Sequence, residues 1–102
     1  MELIFLATIT FYSCIGLPNA EAKAMNCPNG ISASGKELRP WHTAACSRER
    51  MGQIIRIQNT IVECIDVTGG KNHIDVYVND YETAIRLGVQ KHDARLLTNT
   101  ND

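Results

Sequence analysis

Apolar and polar residues alternate along the centre of the chain, which is the pattern of half-buried β-strands. Three segments carry this pattern, 53–58, 61–67 and 73–78, and all three are rich in β-branched residues. A further short strand is expected over residues 41–45. The centre of the chain is therefore predicted to be a set of short strands joined by tight loops.

The periodicity changes after residue 78. Asp80 is a good helix N-cap, residues 81–87 carry apolar side chains at helical spacing, and Gly88 is well placed to end the helix. Residues 89–97 are expected to form a last strand. The chain is thus predicted to be mainly β, a small barrel with one short helix packed over one end.

The amino-terminal segment is a different kind of apolar run. Leu3 to Leu17 is almost continuously apolar and is followed by an A-x-A-like sequence. This pattern predicts a secretory signal over residues 1–22, cleaved after Ala22 or Ala24, with a mature domain over 23–102. The alternatives are a buried first strand or helix and an uncleaved membrane anchor. The signal predicts a secreted, periplasmic or cell-wall-associated protein.

Length and composition limit the chain to one small domain. It has 102 residues, a formal net charge of −1 and 44% hydrophobic residues. The balanced charge argues against nucleic-acid binding through a basic surface. The sequence has neither a phosphate-binding loop nor a dinucleotide-binding glycine motif, and no cofactor is expected.

Three cysteines lie in the predicted mature domain, Cys27, Cys46 and Cys64. The odd number allows one disulfide, and the sequence leaves all three pairings open. We favour Cys27–Cys46, because Cys64 lies in an apolar strand where a buried thiol is common. A zinc site built from Cys27, His42 and Cys46 is the alternative. No C-x-x-C pair supports it, and no metal is expected.

Asp66 and Asp75 are the candidate catalytic residues. They flank a Gly-Gly loop between two apolar strands, and Asp75 stands between two apolar residues. Partial burial and a second carboxylate both raise a carboxyl pKa, which is what a general acid needs near neutral pH. The alternative is that both acids are solvated on a polar strand face. His73 is not expected to share the site of Asp75 directly.

Several motifs follow one another in an order that resembles a known family. The matching segments are Asn29–Pro40 against N-G-I-T-A-S-G-x-x-V-R-P, Met51–Ile57 against L-G-T-x-V-x-V, Asp66–Gly70 against D-T-G-G, Asn72–Val78 against N-R-I-D-L-Y-F and Ala84–Val89 against A-L-R-F-G-x. In this order they resemble the 3D (three-aspartate) domain family over roughly residues 26–97. Cys46 stands where the family has its first aspartate, Val67 interrupts D-T-G-G, and the loop that follows is shorter.

The resemblance implies a six-stranded double-psi β-barrel that cleaves the MurNAc–GlcNAc β-1,4 bond of peptidoglycan without water and leaves a 1,6-anhydro-MurNAc end. It implies that Asp75 is the general acid/base and that Asp66 supports it. The residues expected to bind substrate lie in the matching motifs and are Ser32, Ser34, Thr68, Gly69, Gly70 and Tyr77.

Three functional hypotheses follow. The first is a secreted lytic transglycosylase, acting as a monomer on peptidoglycan glycan strands and touching the membrane only through an uncleaved signal segment. The second is a non-catalytic glycan-binding barrel that has lost part of its active site. The third is a small disulfide-stabilised secreted protein that acts on another protein.

Overall fold

The computed structural model describes residues 3–14 and 32–97. These residues form six strands, one 3₁₀ turn and one α-helix. The strands are β1 (Leu3–Tyr12), β2 (Thr43–Cys46), β3 (Ile54–Ile57), β4 (Thr60–Val67), β5 (His73–Tyr77) and β6 (Gln90–Leu96). The helix α1 is Tyr81–Leu87, and the 3₁₀ turn is Arg48–Arg50. The predicted small six-stranded barrel with one short helix near the carboxyl terminus is confirmed.

The six strands close into a mixed barrel in the order β1-β5-β2-β4-β3-β6, with β6 returning to β1. Two pairs are parallel, β1 with β5 and β2 with β4, and the other four are antiparallel. Because the barrel is closed, none of these strands leaves an unpaired edge.

Inward-pointing side chains from every strand fill the barrel. The buried core consists of Ala7, Ile9, Ala44, Cys46, Ile55, Ile57, Val62, Cys64, Ile74, Val76, Val78, Ala84 and Ala94. Strict alternation produces this core on β5, where Ile74 and Val76 are buried and Asp75 between them is partly exposed. The polar positions of β5 therefore lie on the outer surface of the barrel.

The helix begins and ends where the sequence predicts. The Asp80 carboxylate accepts a hydrogen bond from the Thr83 backbone N–H at 2.8 Å, which caps the first turn. Gly88 follows the last turn with a φ of +64°, a value that glycine adopts without strain. Ala84 is the buried residue of the helix, and through it α1 packs against the barrel core.

The barrel extends beyond the predicted domain of residues 23–102. Leu3–Tyr12, assigned from the sequence to a signal peptide, is β1 and pairs with both β5 and β6. Over these residues the structure has the buried first strand that the sequence left as an alternative. Ala22 and Ala24 lie outside the described residues, and cleavage there stays a prediction.

Candidate active site

The two candidate aspartates lie in one row across the outer surface of the barrel. The strand register places Asp66 of β4 beside Ala45 of β2, Ala45 beside Asp75 of β5, and Asp75 beside Thr10 of β1. Residues directly opposite one another in a sheet project from the same face. One strand separates the two acids, so their backbones are two strand spacings apart, about 10 Å. The fold therefore brings together the pair that the sequence singled out.

A β-bulge is what turns Asp66 to this face. The register between β2 and β4 shifts between Ala44 and Ala45, because Ala44 pairs with Cys64 while Ala45 pairs with Asp66. Ile65 is the extra residue of the bulge, and both Cys64 and Ile65 are buried. Without it, Asp66 would share the inward face of Cys64. Bulges of this kind re-aim a side chain next to an active site.

Asp66 holds the neighbouring loop in place. Its Oδ1 accepts hydrogen bonds from the backbone N–H groups of Ala33 and Val67, both at 3.0 Å. The Ser34 backbone N–H also donates to the Ile65 carbonyl at 3.1 Å. Through these contacts Asp66 fixes the loop of residues 32–36 against the end of β4, which suits it to a supporting role.

Asp75 has the environment of a general acid. Partial burial raises the pKa of the Asp75 carboxyl above its usual range, and the nearby Asp66 carboxylate raises it further. A hydrogen bond from the Thr10 hydroxyl to Asp75 Oδ1, at 2.9 Å, and the His73 side chain act in the opposite direction. Because burial outweighs them, Asp75 holds its proton to a higher pH than an exposed aspartate does.

An open groove of about 410 Å³ runs beside Asp75. One wall is the end of β1, residues 10–13, and the other is α1 with the residues that follow it. Tyr81, Ala84 and Ile85 supply the helix side of the groove. The groove is open to solvent along its length, so a chain-like substrate can lie in it against the carboxyl of Asp75.

Tyr12 places a phenol in the same groove. Its hydroxyl is buried and has no hydrogen-bond partner among residues 3–14 and 32–97. Burial raises the pKa of Tyr12 far above its usual range, and Asp66, Asp75 and Tyr77 raise it further. The hydroxyl therefore stays protonated. The Tyr12 ring packs edge-on against Tyr77, with 5.2 Å between centroids.

The two predicted serine contacts lie near Asp66 but bond within their own turn. Ser32 is buried and its Oγ donates to the Lys36 carbonyl at 2.8 Å. Ser34 Oγ lies 3.0 Å from Ser32 Oγ. These hydroxyls shape the loop that Asp66 fastens, and Ser34 is the exposed one of the pair.

The other predicted contacts follow Asp66 and Asp75 along the chain. The backbone N–H of Thr68 donates to the Cys46 carbonyl at 2.8 Å. The Gly69 carbonyl lies 2.9 Å from His73 Nδ1. Gly70 has a φ of +93°, which side chains other than glycine rarely adopt. Tyr77 is only 4% exposed and serves as packing behind Tyr12.

The predicted Cys27–Cys46 disulfide is wrong. Cys46 pairs with Cys64, with 5.6 Å between their Cα atoms, and both side chains are fully buried. The two cysteines lie on the neighbouring strands β2 and β4 and both belong to the barrel core, a proximity that sequence spacing does not reveal. Cys14 is also disulfide-bonded, whereas Cys27 lies outside the described residues. The bond joins the two strands at the bulge beneath Asp66.

The exclusion of His73 from the site is also wrong. Residues two apart on a strand project from the same face, so His73 lies beside Asp75. Thr10 Oγ1 lies 2.6 Å from His73 Nε2 while donating to Asp75. Thr10 and Tyr12 themselves were missed, because their segment was assigned to a signal peptide. The strict alternation of residues 7–12 was the signal that could have found them.

No protein-family model matches the chain, and no curated protein is significantly similar to it. None of the helices within residues 3–14 and 32–97 has the length and apolar character needed to cross a membrane. Within the same ranges, no three histidine, cysteine or acidic side chains are grouped so that they could hold a metal ion. The barrel and the site around Asp75 are therefore the features from which a function can be inferred.

Proposed function

We propose that the protein is a lytic transglycosylase that cleaves the MurNAc–GlcNAc β-1,4 bond of peptidoglycan. One observation carries the proposal: Asp75, with a pKa raised by burial, lies in an open groove in the same row as a second carboxylate, Asp66. The motif resemblance to the 3D domain family selects glycan cleavage among the reactions that such a carboxyl can catalyse.

The proposed reaction uses Asp75 twice. Its carboxyl first gives a proton to the glycosidic oxygen, and the bond from that oxygen to C1 of MurNAc breaks. The resulting carboxylate then takes the proton from the MurNAc 6-hydroxyl while that oxygen bonds to C1. The 1,6-anhydro ring closes, water does not take part, and Asp75 ends protonated as it began.

One neighbour supports this chemistry. Asp66 stabilises the positive charge that develops on the sugar ring and keeps the loop of residues 32–36 in place. The substrate is the glycan strand, and the proposal requires neither metal nor cofactor.

Digestion of purified peptidoglycan tests the proposal, with mass analysis of the released muropeptides. The enzyme is the full chain, because a preparation starting at residue 23 lacks β1 and with it Thr10 and Tyr12. The wild type is expected to release anhydro-MurNAc products, and Asp75→Asn is expected to release none. Asp93→Asn is the matched control, because Asp93 is an exposed acid on β6 outside the groove.

Two results would contradict the proposal. Release of products by Asp75→Asn would show that Asp75 is not the general acid. Products with a hydrated reducing end would show that the reaction is hydrolysis. Folding of each variant is checked by circular dichroism, so that an inactive variant is known to be folded.

A non-catalytic glycan-binding barrel is the second candidate. It is favoured by Cys46, which occupies the place of a family aspartate and is tied up in a disulfide. Sedimentation with intact sacculi distinguishes the two: a binder co-sediments without releasing products, and Asp75→Asn co-sediments equally well.

A further inference from the structure

A chain of three hydrogen bonds runs from the Gly-Gly loop to Asp75. His73 Nδ1 lies 2.9 Å from the Gly69 carbonyl oxygen, and His73 Nε2 lies 2.6 Å from Thr10 Oγ1. Thr10 Oγ1 in turn lies 2.9 Å from Asp75 Oδ1. Both nitrogens of the imidazole are therefore engaged, one by a carbonyl and one by a hydroxyl.

The number of hydrogens available restricts the protonation states that this series of hydrogen bonds allows. A carbonyl oxygen only accepts, so Nδ1 of His73 carries a hydrogen in every arrangement. The Thr10 hydroxyl has one proton. If that proton goes to an Asp75 carboxylate, Nε2 must also carry a hydrogen, and His73 is an imidazolium.

The second arrangement uses the same heavy atoms. If Asp75 is protonated, its O–H donates to Thr10 Oγ1, and the Thr10 hydroxyl turns its own proton to Nε2 of a neutral imidazole. Between the two arrangements each of two hydrogens shifts along its own hydrogen bond, and the net result is the transfer of one proton between His73 and Asp75. Nothing else in the chain has to move.

We propose that His73 is the proton store of Asp75 and exchanges a proton with it through the Thr10 hydroxyl. As the Asp75 O–H bond breaks, its proton bonds to Thr10 Oγ1, and the original Thr10 proton bonds to His73 Nε2. The reverse transfer reloads Asp75. His73 and Thr10 are positioning residues, since they act on the reaction through Asp75. The catalytic consequence rests on the proposed function, whereas the proton exchange does not.

Substrate binding determines the direction of transfer. The other titratable groups around Asp75 are Asp66 on β4, Tyr12 on β1, Tyr77 on its own strand and Tyr81 on α1. None of these four is a cation, so His73 supplies the positive charge beside the carboxylate. When a glycan covers the groove and excludes water, the neutral carboxyl is favoured. The proton then moves from His73 to Asp75 before the glycosidic bond is cleaved.

Nuclear magnetic resonance tests the exchange directly on the full chain. The ¹⁵N shifts of the His73 ring and the ¹³C shift of the Asp75 carboxyl are followed against pH in the wild type and three variants. Thr10→Val removes the hydroxyl, Thr10→Ser keeps it, and Thr8→Val is the matched control. Thr8 lies two residues away on the same strand face, and its side chain makes no hydrogen bond to any residue within 3–14 and 32–97.

The wild type is expected to show protons on both His73 nitrogens while Asp75 is ionised, with both groups reporting the same two titration steps. In Thr10→Val the hydrogen-bonded link between the two groups is lost, and each is expected to titrate in a single step. Thr10→Ser and Thr8→Val are expected to titrate like the wild type. Equal curves for wild type and Thr10→Val, or a neutral His73 protonated only at Nε2, would overturn the proposal.

A second variant covers the case in which Thr10→Val does not fold. His73→Gln keeps a polar side chain but cannot store a proton, so the Asp75 carboxyl is expected to titrate in one step. Two steps in that variant would overturn the proposal.

Activity provides a separate readout. The alkaline limb of kcat is expected to move to lower pH in Thr10→Val and His73→Gln with KM unchanged, and to stay in place in Thr8→Val. An alkaline limb that does not move in either positioning variant would overturn the catalytic consequence. If the wild type releases no products, the proposed function fails, and the titration curves still decide the proton exchange.

Discussion

Removing residues 1–22 is expected to unfold the barrel. These residues contain β1, which lies between β5 and β6 and closes the sheet. Its loss leaves two strand edges unpaired and opens the core along its whole length. A signal peptide, in contrast, can be removed without any cost to the folded domain.

The expected loss follows from the side chains that β1 buries. Ile9 is 1% exposed, and Phe5 and Phe11 pack against the core from the same face. Fully burying a side chain of this size contributes about 1.5–3 kcal/mol, so the three together contribute at most roughly 4.5–9 kcal/mol. Because a whole domain is stable by only about 5–15 kcal/mol, the remaining 80 residues have little or no stability left.

Thermal unfolding followed by circular dichroism compares the full chain with residues 23–102. The full chain is expected to melt cooperatively, and the truncated chain is expected to show no transition. A truncated chain that melts cooperatively at the same temperature as the full chain would refute the assignment of β1 to the barrel.

Two point variants on the same strand refine the test. Ile9→Ala empties a core position and is expected to lower the free energy of unfolding by about 2–5 kcal/mol. Leu6→Ala is the matched control, because Leu6 is 60% exposed, and its effect is expected to stay within about 0.5 kcal/mol.

Three further predictions concern the site and its support. Gly70→Val is expected to cost at least about 1–2 kcal/mol of stability, because a residue with a side chain is strained at a φ of +93°. Gly69→Val is the control: its added side chain meets open space, and it is expected to melt like the wild type. Equal melting temperatures for the two variants would contradict this. Replacing Cys46 and Cys64 together by alanine is expected to lower the free energy of unfolding by about 3 kcal/mol, because the disulfide closes a loop of 18 residues. A denaturation midpoint equal to that of the wild type would contradict this prediction. The raised pKa of Asp75 means that the native carboxyl keeps its proton where the unfolded one has lost it. The free energy of unfolding of the wild type therefore falls as pH rises through and above 3.8, the ordinary pKa of an aspartate, whereas Asp75→Asn is expected to avoid that loss. Urea unfolding at several pH values checks this. A difference in stability between the two proteins that does not change with pH would refute it.

Periodicity predicted the central strands and the helix well, because each has a face buried against one core. The strand over 73–78 and the helix over 81–87 fall within a residue of their observed bounds. Asp75 could be singled out for the same reason, since an acid between two buried aliphatic residues lies on the outer face of a strand.

The apolar content of the amino-terminal segment could not show whether it is a signal sequence or a barrel strand. A run of apolar residues is compatible with a signal sequence and with a barrel strand, and only the alternation of Thr8, Thr10 and Tyr12 with apolar neighbours separates them. The bulge at Ile65 is harder still. It depends on how β2 and β4 pair, and residues close in sequence do not encode that pairing.

The placement of β1 has a consequence for how the protein is made. The first barrel strand to be synthesised, β1, pairs with β5 and β6, the last two. The hydrogen bond between Thr10 and Asp75 joins residues that are 65 positions apart in the sequence. At about 5–20 residues per second, β1 waits several seconds for its partners. During that interval the backbone of Leu3, Ile4 and Leu6 lacks its β6 partner. A chaperone or a second copy of the chain can then bind this apolar strand. Closure of the barrel is therefore a late, long-range step, and contacts of this kind make folding slow.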